Sequence, residues 1–548
     1  MKVVIIGGVA GGATAAARVR RLDESAKIVM FEKGEHISYA NCGLPYYIGG
    51  LIAGENQLLI NTPHSFKQRY NVDIRILSEV TAIDRKSKEV EVFDKATGKS
   101  YRESYDKLLI STGAEPIVPE GLGAAGERVF TLKSYEDALK IKRFIGEKSP
   151  KSAAVIGGGF IGMEAAENLH NLGIKVAIVE YSDHLLPTLD FDMACEFHSY
   201  LRKSGIGLHL NQKAERIEPT ENGVKVTTSN LALEADMAIL ALGVRADSKL
   251  AKDAGLALTE RGEIITDERM RTSDEDIFAV GDAVAVTEIV SGKRRHIPLA
   301  GPANKQARVA ADNICGIESR YAGAQGTSIV KFSGIVAAST GLTENLARFY
   351  GYDYEKNFTY SPSHATYYPG AAYMCIKLVF EKGSGKVLGA QIVGSEGADK
   401  RIDVLAAAIR AGMTVRELSE IDLAYAPPFS SVRDPVNIAG YAASNILDGL
   451  LKVAHWHELD KMKDVQLIDV RNPGEYARGT IPGFINIPLD SIRENLDKID
   501  KSRPVCVTCQ IGLRGYVACR ILASYGYDCY NLSGGYRLYR AIAENGKT

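Results

Sequence analysis

The chain has few cysteines, almost no net charge and no long hydrophobic run, and each absence narrows what it can be. Its eight cysteines are scattered over 548 residues and are too sparse for a disulfide scaffold, which predicts a reducing, cytoplasmic setting. A formal net charge of -1 gives no field that attracts nucleic acid or an anionic membrane. No run of about eighteen or more apolar residues occurs, so no membrane span is expected. Residues 1–17 contain interior glycines and fit a strand, turn and helix better than a secretory signal.

The first part of the chain carries a nucleotide-binding pattern. An apolar run at 3–6 predicts a buried parallel strand, and a glycine-rich turn then leads into an alanine-rich helix. Glycines let the backbone approach a pyrophosphate, and the helix N-terminus supplies free N–H groups. Val9 replaces the usual second glycine, so a tight turn without a ligand is an alternative, but Glu32 ends the next predicted strand and suits a ribose hydroxyl. The candidate contacts in the turn are Gly7, Gly8, Val9, Ala10, Gly11 and Gly12.

A second copy of this pattern is more complete. The apolar strand at 153–156 leads into Gly157, Gly159 and Gly162, and the strand after the helix ends at Glu180. All three fingerprint glycines are present, and Glu180 stands where a ribose 2′-hydroxyl is held. A 2′-phosphate would favour arginine there, so NADH is expected over NADPH. Dual use stays open, because one carboxylate is a modest discriminator.

The segment 38–47, SYANCGLPYY, places one cysteine, Cys42, ten residues after Glu32. Its residues 38–45 closely resemble the active-site segment of the coenzyme A disulfide reductases, a single-cysteine branch of the flavin-dependent disulfide reductases. Three further stretches resemble the wider family, at 105–114, 237–243 and 272–283. The resemblance implies bound FAD, with Cys42 as the redox-active sulfur beside the flavin and Asp282 at its ribityl chain.

The resemblance implies an α/β fold with two Rossmann-like FAD- and NAD-binding domains and an α+β dimerisation domain, and separate segments near the C-terminus predict an α/β rhodanese domain. The expected FAD domain comprises 1–115 and 265–325, and the NAD(P)H domain comprises 116–264. The dimerisation domain is expected at 326–446, a linker at 447–463 and the rhodanese domain at 464–548. No metal site is expected. Further cofactor candidates are Lys33, Val80, Thr112, Gly113, Gly243, Gly281 and Asp282.

Three segments together resemble a rhodanese domain: a predicted strand at 466–471, GTIPGFINIP at 479–488 and NLSGG at 531–535, with Thr480 where histidine is common. Between them Cys509 opens the loop CQIGLR after an apolar strand at 504–507. Such a loop turns backbone N–H groups inward and, with Arg514, stabilises a thiolate or persulfide. The loop is one residue shorter than the related phosphatase cradle and should suit sulfur. A thioredoxin-like pair of Cys506 with Cys509 is an alternative, but Cys506 lies inside the apolar strand.

The chemistry at Cys42 depends on the lack of a neighbouring thiol, since the nearest other cysteine in the sequence is Cys195. Dithiol reductases carry two cysteines a few residues apart. Cys42 must therefore reach its second redox state with an external sulfur, through a mixed disulfide. We expect coenzyme A to be bound, in a resting disulfide with Cys42, and hydride from NADH to reach that disulfide through FAD.

The resemblance also implies how coenzyme A is held. Thr14, Arg18 and Arg21 are spaced i, i+4 and i+7 on one face of the first helix, and guanidinium groups suit phosphates. A solvated helix face is the alternative for these three. The other candidates for coenzyme A are Ser38, Asn41, Arg69 and Arg433.

Two tyrosines, Tyr367 and Tyr425, carry over from the family, where they reach the flavin-side sulfur from the partner subunit. A phenol can donate to a leaving thiolate, and Tyr368 is an alternative to Tyr367. The peroxidases and oxidases of this branch carry a histidine in the first glycine turn. This chain has Val9 and Ala10 there, so reduction of peroxide or oxygen is disfavoured.

Together these patterns predict a homodimeric flavoenzyme that reduces coenzyme A persulfide or polysulfide with NADH and releases hydrogen sulfide and a thiol. One alternative is reduction of coenzyme A disulfide, with the rhodanese domain serving other sulfur transfer. Another is a non-catalytic sulfur carrier or redox sensor. The expected partners are small sulfur compounds and a second copy of the chain, without nucleic acid or membrane. The catalytic candidates are Cys42, Cys509, Tyr367, Tyr425 and Arg514.

Overall fold

A computed structural model gives the fold and describes residues 1–122 and 126–546. Within these ranges the helices are α1 (Ala10–Leu22), α2 (Leu44–Ile48), α3 (Pro63–Tyr70), α4 (Tyr135–Lys148), α5 (Phe160–Asn171), α6 (Phe191–Lys203), α7 (Lys249–Asp253), α8 (Ala300–Ile314), α9 (Glu344–Phe349), α10 (Ala398–Ala411), α11 (Val415–Glu420), α12 (Pro435–Leu447), α13 (Pro473–Ala477), α14 (Leu513–Ser524) and α15 (Gly535–Ala543).

The strands of the same ranges are β1 (Lys2–Ile6), β2 (Lys27–Phe31), β3 (Asp73–Arg75), β4 (Ser78–Asp84), β5 (Glu89–Asp94), β6 (Lys99–Ser104), β7 (Lys107–Ile110), β8 (Ala114–Pro116), β9 (Val129–Thr131), β10 (Ser152–Ile156), β11 (Lys175–Val179), β12 (Gly207–His209), β13 (Ala214–Pro219), β14 (Val224–Thr228), β15 (Ala232–Ala235), β16 (Met237–Leu240), β17 (Val244–Ala246), β18 (Ile264–Ile265), β19 (Ile277–Ala279), β20 (Val284–Thr287), β21 (Arg294–His296), β22 (Ser328–Phe332), β23 (Ile335–Gly341), β24 (Tyr354–Pro362), β25 (Tyr373–Glu381), β26 (Val387–Gly394), β27 (Lys452–Ala454), β28 (Gln466–Asp469), β29 (Ile485–Asn486), β30 (Val505–Thr508) and β31 (Cys529–Leu532).

The chain divides into two compact units, Met1–Ser182 with Gly207–Gly326, and Asp183–Ile206 with Thr327–Thr548. No helix that the structure describes is both long and apolar enough to cross a bilayer.

The first unit contains two five-stranded parallel sheets with the orders β19-β7-β1-β2-β3 and β12-β11-β10-β16-β9. Strands β1 and β10 lie in the interior of their sheets and each bury four of five residues, because a parallel sheet is covered on both faces. Ile277 of β19 pairs with Leu108 of β7, which joins the stretches at 105–114 and 272–283 in one sheet. The prediction of two Rossmann-like dinucleotide folds is confirmed.

The second unit contains an antiparallel sheet of order β22-β23-β26-β25-β24, with helices α10 and α12 in contact with it. Lys377 on β25 is completely buried and its Nζ lies 2.9 Å from Asp190, 2.8 Å from Asp192 and 3.0 Å from Glu344. A buried ammonium requires such compensation. These ion pairs tie the start of α6 to the sheet, although α6 comes from the chain between β11 and β12.

The C-terminal part of the second unit is a parallel sheet of order β27-β31-β30-β28-β29, flanked by α14 on β30 and β31. Strand β27 pairs with β31 and falls inside the stretch that the sequence assigns to the linker. A three-residue strand is too short to show a hydrophobic period, so the sequence pattern could not reveal it.

Candidate functional site

The turn after β1 forms the first dinucleotide cradle. Gly7 has φ +98°, and a Cβ there would lie 2.2 Å from the Ser111 carbonyl oxygen, so the turn requires glycine. A Cβ on Gly12 would lie 1.8 Å from the carbonyl oxygen of Gly7, which shows how closely α1 begins against the turn. Helix α1 has no capping side chain and no acidic residue in its first turn. Its N–H groups therefore suit a pyrophosphate.

Glu32 follows β2 and is held rigidly at the rim of this cradle. Its carboxylate accepts the backbone N–H groups of Gly8 and Gly34, each at 2.9 Å. Two backbone donors fix the orientation of the side chain, as a carboxylate that binds a ribose requires.

The other predicted FAD contacts lie on neighbouring elements of the first unit. Thr112 Oγ1 donates to the Asp247 carbonyl at 2.5 Å, and Lys33 is ion-paired with the Asp247 carboxylate at 3.2 Å. Gly113 has φ +77° and a Cβ there would meet no atom within 4 Å. Val80 lies on β4 and its side chain is buried.

Asp282 lies on a short 3-10 turn, Gly281–Ala283, directly after β19. The N–H of Gly281 donates to Gln306 Oε1 at 2.7 Å, and Lys133 Nζ lies 3.2 Å from the Asp282 carboxylate. The turn therefore presents Asp282 at the carboxyl end of the first sheet, the edge at which parallel sheets bind ligands.

The second cradle has the same construction. Gly157 has φ +109°, and a Cβ on Gly162 would lie 2.0 Å from the Gly157 carbonyl oxygen. A Cβ on Gly159 would meet no atom within 4 Å, which leaves the start of α5 open. Glu180 accepts the N–H groups of Gly158 and Ser182 at 2.7 Å each. Gly243, with φ +97°, follows β16, so both cradles fit dinucleotides.

Cys42 lies in the 3-10 turn Asn41–Gly43 that leads into α2, and its side chain is exposed. Partial burial raises the pKa of the Cys42 thiol, and the carboxylates of Glu164 and Asp282 raise it further, whereas Lys133 lowers it. The thiol is thus reachable by a substrate and yet held mostly protonated at neutral pH.

Glu164 and Tyr46 are members of this site that the sequence patterns do not predict. The Tyr46 hydroxyl donates to Glu164 Oε1 at 3.4 Å. Burial raises the pKa of Glu164 to about 7 and, with the charge of Glu164, raises the pKa of Tyr46 to about 12. The sequence offered one signal for Glu164, since it is an acidic residue inside the otherwise apolar start of α5.

The structure places Ser38 and Asn41 beside Cys42 on the same connection. Ser38 has φ +48° and its Oγ accepts from Asn61 at 3.3 Å. The Asn41 Oδ1 atom is buried and has no hydrogen-bond partner in the described chain. A buried acceptor of this kind calls for a donor from a bound molecule.

The predicted arginine face of α1 is only partly available. Arg18 is ion-paired with Asp312 at 2.8 Å, and Thr14 donates to Asn304 Oδ1 at 2.8 Å, so α8 already engages both. Arg21 on α1 and Arg69 on α3 are exposed.

In the second unit, Tyr367 and Tyr425 come together, with their hydroxyl oxygens 3.0 Å apart. This hydrogen bond raises the pKa of Tyr425, because ionisation would remove its donor. Tyr368 instead packs edge-on against His364, with ring centres 5.7 Å apart. The geometry therefore favours Tyr367 over Tyr368 as the partner of Tyr425. Arg433 is exposed.

Cys509 directly follows β30 and begins the loop that leads into α14. Its side chain is fully buried, and the N–H of Gly512, at φ +94°, donates to its Sγ at 3.1 Å. The N–H of Tyr536 donates to the Cys509 carbonyl at 2.8 Å. A Cβ on Gly535 would lie 2.5 Å from that carbonyl oxygen, so only glycine lets α15 approach the loop so closely.

Arg514 forms a bidentate ion pair with Glu475 of α13, with both contacts at 2.7 Å. These hydrogen bonds lower the pKa of Glu475 to about 2. Sequence reasoning missed Glu475, because its spacing from the cysteine loop has no local pattern. Beside it, Arg471 is buried, pairs with Asp469 at 2.6 Å and lies 4.1 Å over the Tyr536 ring.

Cys506 does not share the surroundings of Cys509. It packs with Ile481, Phe484 and Leu532 on one side of the sheet, whereas Cys509 packs with the core on the other side. Burial raises the pKa of Cys506 to about 12. The side chains of β30 alternate between faces, which argues against a thioredoxin-like pair.

Comparison with known families decides where the chain belongs. Residues 1–307 match the model of the pyridine nucleotide-disulphide oxidoreductases, and residues 327–435 match the dimerisation domain of the same family. The chain belongs to the pyridine nucleotide-disulphide oxidoreductase family. Residues 455–542 match the rhodanese-like domain, so the predicted fusion is confirmed.

Among curated members of the family, the coenzyme A disulfide reductase of Staphylococcus haemolyticus (strain JCSC1435) is 35% identical over 447 residues, which cover 81% of this chain and 100% of the relative. That of Staphylococcus aureus (strain JH9) is 35% identical over 450 residues, or 81% of this chain and 99% of the relative. Both relatives therefore align over nearly their whole length, and the rest of this chain lies outside each alignment.

Two solved structures resemble this chain over nearly its whole length. Reduced Bacillus anthracis CoADR-RHD has a TM-score of 0.96 at 46% identity and covers 99% of this chain and 98% of its own. A NAD-dependent persulfide reductase from A. fulgidus has a TM-score of 0.93 at 40% identity and covers 98% and 100%. The water-forming NADH oxidase from Lactobacillus brevis has a TM-score of 0.79 at 28% identity and covers 82% and 99%.

Proposed function

We propose that this chain is an FAD-dependent, NADH-oxidising reductase of sulfane sulfur, with coenzyme A persulfide or polysulfide as substrate. The observation that carries the proposal is one exposed thiol, Cys42, at the FAD cradle of a chain that also holds the sulfur-transfer loop of Cys509. The likeness to the A. fulgidus persulfide reductase over 98% of this chain supports it. Glu180, held by two backbone donors, supports NADH as the electron source.

In the proposed reaction, Cys42 exchanges sulfur bonds with the persulfide. Its thiolate attacks the coenzyme A-side sulfur of a persulfide, hydrosulfide leaves, and a Cys42–coenzyme A disulfide forms. Bound FAD would supply the two electrons, taken from NADH, that cleave this disulfide. Cleavage returns the Cys42 thiolate and releases the coenzyme A thiol. The protein's part is to hold the sulfur within the electrostatic influence of the carboxylates of Glu164 and Asp282 and the ammonium of Lys133.

A second copy of the chain is needed to complete this site. Tyr367 and Tyr425 lie on an exposed apolar face of the dimerisation domain, and their paired hydroxyls can donate to a leaving thiolate. A matched dimerisation domain at 327–435 supports the pairing. The exposed members of this face are Tyr367, Tyr368, Tyr373, Tyr425, Phe429 and Val432.

Reduction of coenzyme A disulfide is the second candidate function. The Staphylococcus relatives that bear this name support it, since they align with the oxidoreductase part of this chain. In that case Cys42 would attack the disulfide, release one coenzyme A thiol and hold the other, and Cys509 would serve separate sulfur transfer.

The test is steady-state NADH consumption with parallel detection of sulfide, with coenzyme A persulfide, polysulfide and coenzyme A disulfide offered separately. The variants are Cys42→Ser, Cys509→Ser and the control Cys315→Ser, a partly exposed thiol at the end of α8. We expect persulfide or polysulfide to be turned over much faster than the disulfide. Loss of this activity in Cys42→Ser and its retention in Cys315→Ser are expected.

A preference for coenzyme A disulfide, with no effect of Cys509→Ser, would replace the proposal by the second candidate. A flavin that NADH reduces but no sulfur compound reoxidises would instead indicate a sensor. Turnover of persulfide that slows in Cys509→Ser would place the rhodanese domain on the route.

A further inference from the structure

Two further cysteines of the rhodanese domain, Cys519 and Cys529, have no part in the chemistry of Cys509. Cys519 lies on α14 and Cys529 begins β31, the neighbouring strand. The Cys529 thiol donates to the Cys519 backbone carbonyl, with Sγ and O 3.1 Å apart, which places the Cys529 sulfur beside Cys519. Neither is in a disulfide, so the structure holds a reduced dithiol.

This dithiol borders a surface cavity of about 350 Å³. The cavity has space for a polysulfide or for the sulfur end of a thiol disulfide, and it brings an otherwise buried sulfur within reach of such a reagent. Lys452, Arg520 and Asp528 contribute the charged groups of its wall, and Lys452 is ion-paired with Asp528 at 2.8 Å. Arg520 leaves the wall with one more positive than negative side chain, which suits an anionic polysulfide. The lining residues that matter here are Leu450, Lys452, Cys519, Arg520, Asp528 and Cys529.

The two thiols differ in acidity. The neighbouring Cys519 thiol lowers the pKa of Cys529, although burial and the Asp528 carboxylate oppose this shift. The neighbouring Cys529 sulfur and burial raise the pKa of Cys519. An attacking thiolate beside a protonated resolving thiol is the arrangement that thiol–disulfide exchange uses.

We propose that Cys519 and Cys529 form a redox-active pair that exchanges with disulfides or polysulfides and closes to an intradomain disulfide. The Cys529 thiolate attacks a disulfide RS–SR, RS⁻ leaves, and a Cys529–S–S–R mixed disulfide forms. Cys519 gives its proton to solvent and attacks the Cys529 sulfur, and the second RS⁻ leaves. Two protein thiols are oxidised and one external disulfide is reduced to two thiols. An excess of external thiol reverses both steps.

The pair lies between the two elements that hold the Cys509 loop. Helix α14 begins directly after the loop, and on β31 the Asn531 side chain donates to the Gly512 carbonyl at 3.1 Å. The N–H of that same Gly512 supports the Cys509 sulfur. A disulfide between α14 and β31 shifts Gly512 and Asn531 relative to each other. Oxidation of the pair therefore lowers sulfur transfer at Cys509.

Peptide mapping tests the site directly. The full-length holoenzyme is reduced, freed of thiol, treated with coenzyme A disulfide or with tetrasulfide in the absence of NADH, alkylated and cleaved with trypsin. Cleavage after Arg514, Arg520 and Arg537 puts Cys519 and Cys529 in separate peptides, 515–520 and 521–537. We expect these peptides to be linked, with the mass of two hydrogen atoms lost, and to separate on treatment with dithiothreitol.

Two variants define the roles. Cys519→Ala should stop at the mixed disulfide of Cys529, whereas the control Cys315→Ala should form the linked peptides as the wild type does. Thiocyanate formation from cyanide and a sulfane-sulfur donor should fall after oxidation of the wild type, recover with dithiothreitol, and stay unchanged in Cys519→Ala.

Thiols that remain free, or a mixed disulfide that persists in the wild type, would overturn the redox pair. Linked peptides with unchanged thiocyanate formation would overturn its effect on Cys509. The inference rests on the proposed function only for the class of oxidant. Repeating the peptide mapping on Cys42→Ser distinguishes the redox pair from the proposed reductase function, since the flavin-side reaction is then absent while the cysteine pair remains.

Discussion

Replacing Glu164 by glutamine should make Cys42 more reactive at and above neutral pH. The Glu164 carboxylate is the largest electrostatic contribution to the raised pKa of the Cys42 thiol after burial. A nearby carboxylate opposes ionisation of a thiol, so its removal lowers the pKa of Cys42 and increases the fraction of thiolate at neutral pH. Lower basicity reduces the nucleophilicity of each thiolate, but with a Brønsted coefficient of about 0.4–0.5 it offsets only part of this gain. The rate of alkylation should therefore rise several-fold.

The pH dependence sharpens this prediction. The pKa of Glu164 is about 7, so its charge appears as the pH rises through that value and opposes ionisation of Cys42. The alkylation rate of the wild type should therefore rise less steeply with pH than a single ionisation allows. Glu164→Gln carries no such charge, and its rate should follow a single-ionisation curve.

The assay is the rate of alkylation of Cys42 by iodoacetamide in the reduced holoenzyme, followed by mass spectrometry over a range of pH around 7. Glu55→Gln is the matched control, because Glu55 is exposed and acts on Tyr47 rather than on Cys42. Equal rates and equal slopes in wild type and Glu164→Gln would refute the reasoning.

Three further outcomes are expected. Lys377→Met leaves three buried carboxylates without their shared cation and should destabilise the second unit by about 3–5 kcal/mol in denaturant unfolding. In the control Lys382→Met, which removes only carboxylate contacts of 3.8 and 3.9 Å, the free energy of unfolding should stay within about 0.5 kcal/mol of the wild type. Equal losses of stability in the two variants would contradict this prediction. Tyr425→Phe should lower kcat with persulfide about 10²-fold while Tyr368→Phe leaves it nearly unchanged, and the reverse order would identify the wrong tyrosine. Since the pKa of Glu475 falls from 4.5 to about 2 on folding, its ion pair stabilises the fold above about pH 4.5, and this effect fades as the pH falls toward 2. The melting temperature of Glu475→Gln should therefore lie below that of the wild type at pH 7 and approach it near pH 3. A difference in melting temperature that does not narrow would count against the pairing.

The fold was largely predictable because its elements depend on local requirements. Two glycine turns each demand a positive φ and a close backbone approach, at Gly7 and Gly157, and side chains other than glycine cannot meet them. Apolar strands on either side then specify parallel sheets. The three-residue strand β27 escaped prediction, because its place in the sheet depends on pairing with β31 rather than on its own pattern.

By itself the sequence determined the two candidate sulfur centres, because a single cysteine without a neighbouring thiol and a cysteine at a strand–loop–helix junction restrict the chemistry locally. Tertiary structure alone decided what surrounds them. It brought Glu164 to the site of Cys42, paired Arg514 with Glu475, and set Tyr367 rather than Tyr368 against Tyr425. Contacts between residues far apart in the chain depend on how helices and sheets pack, and no short motif encodes that packing.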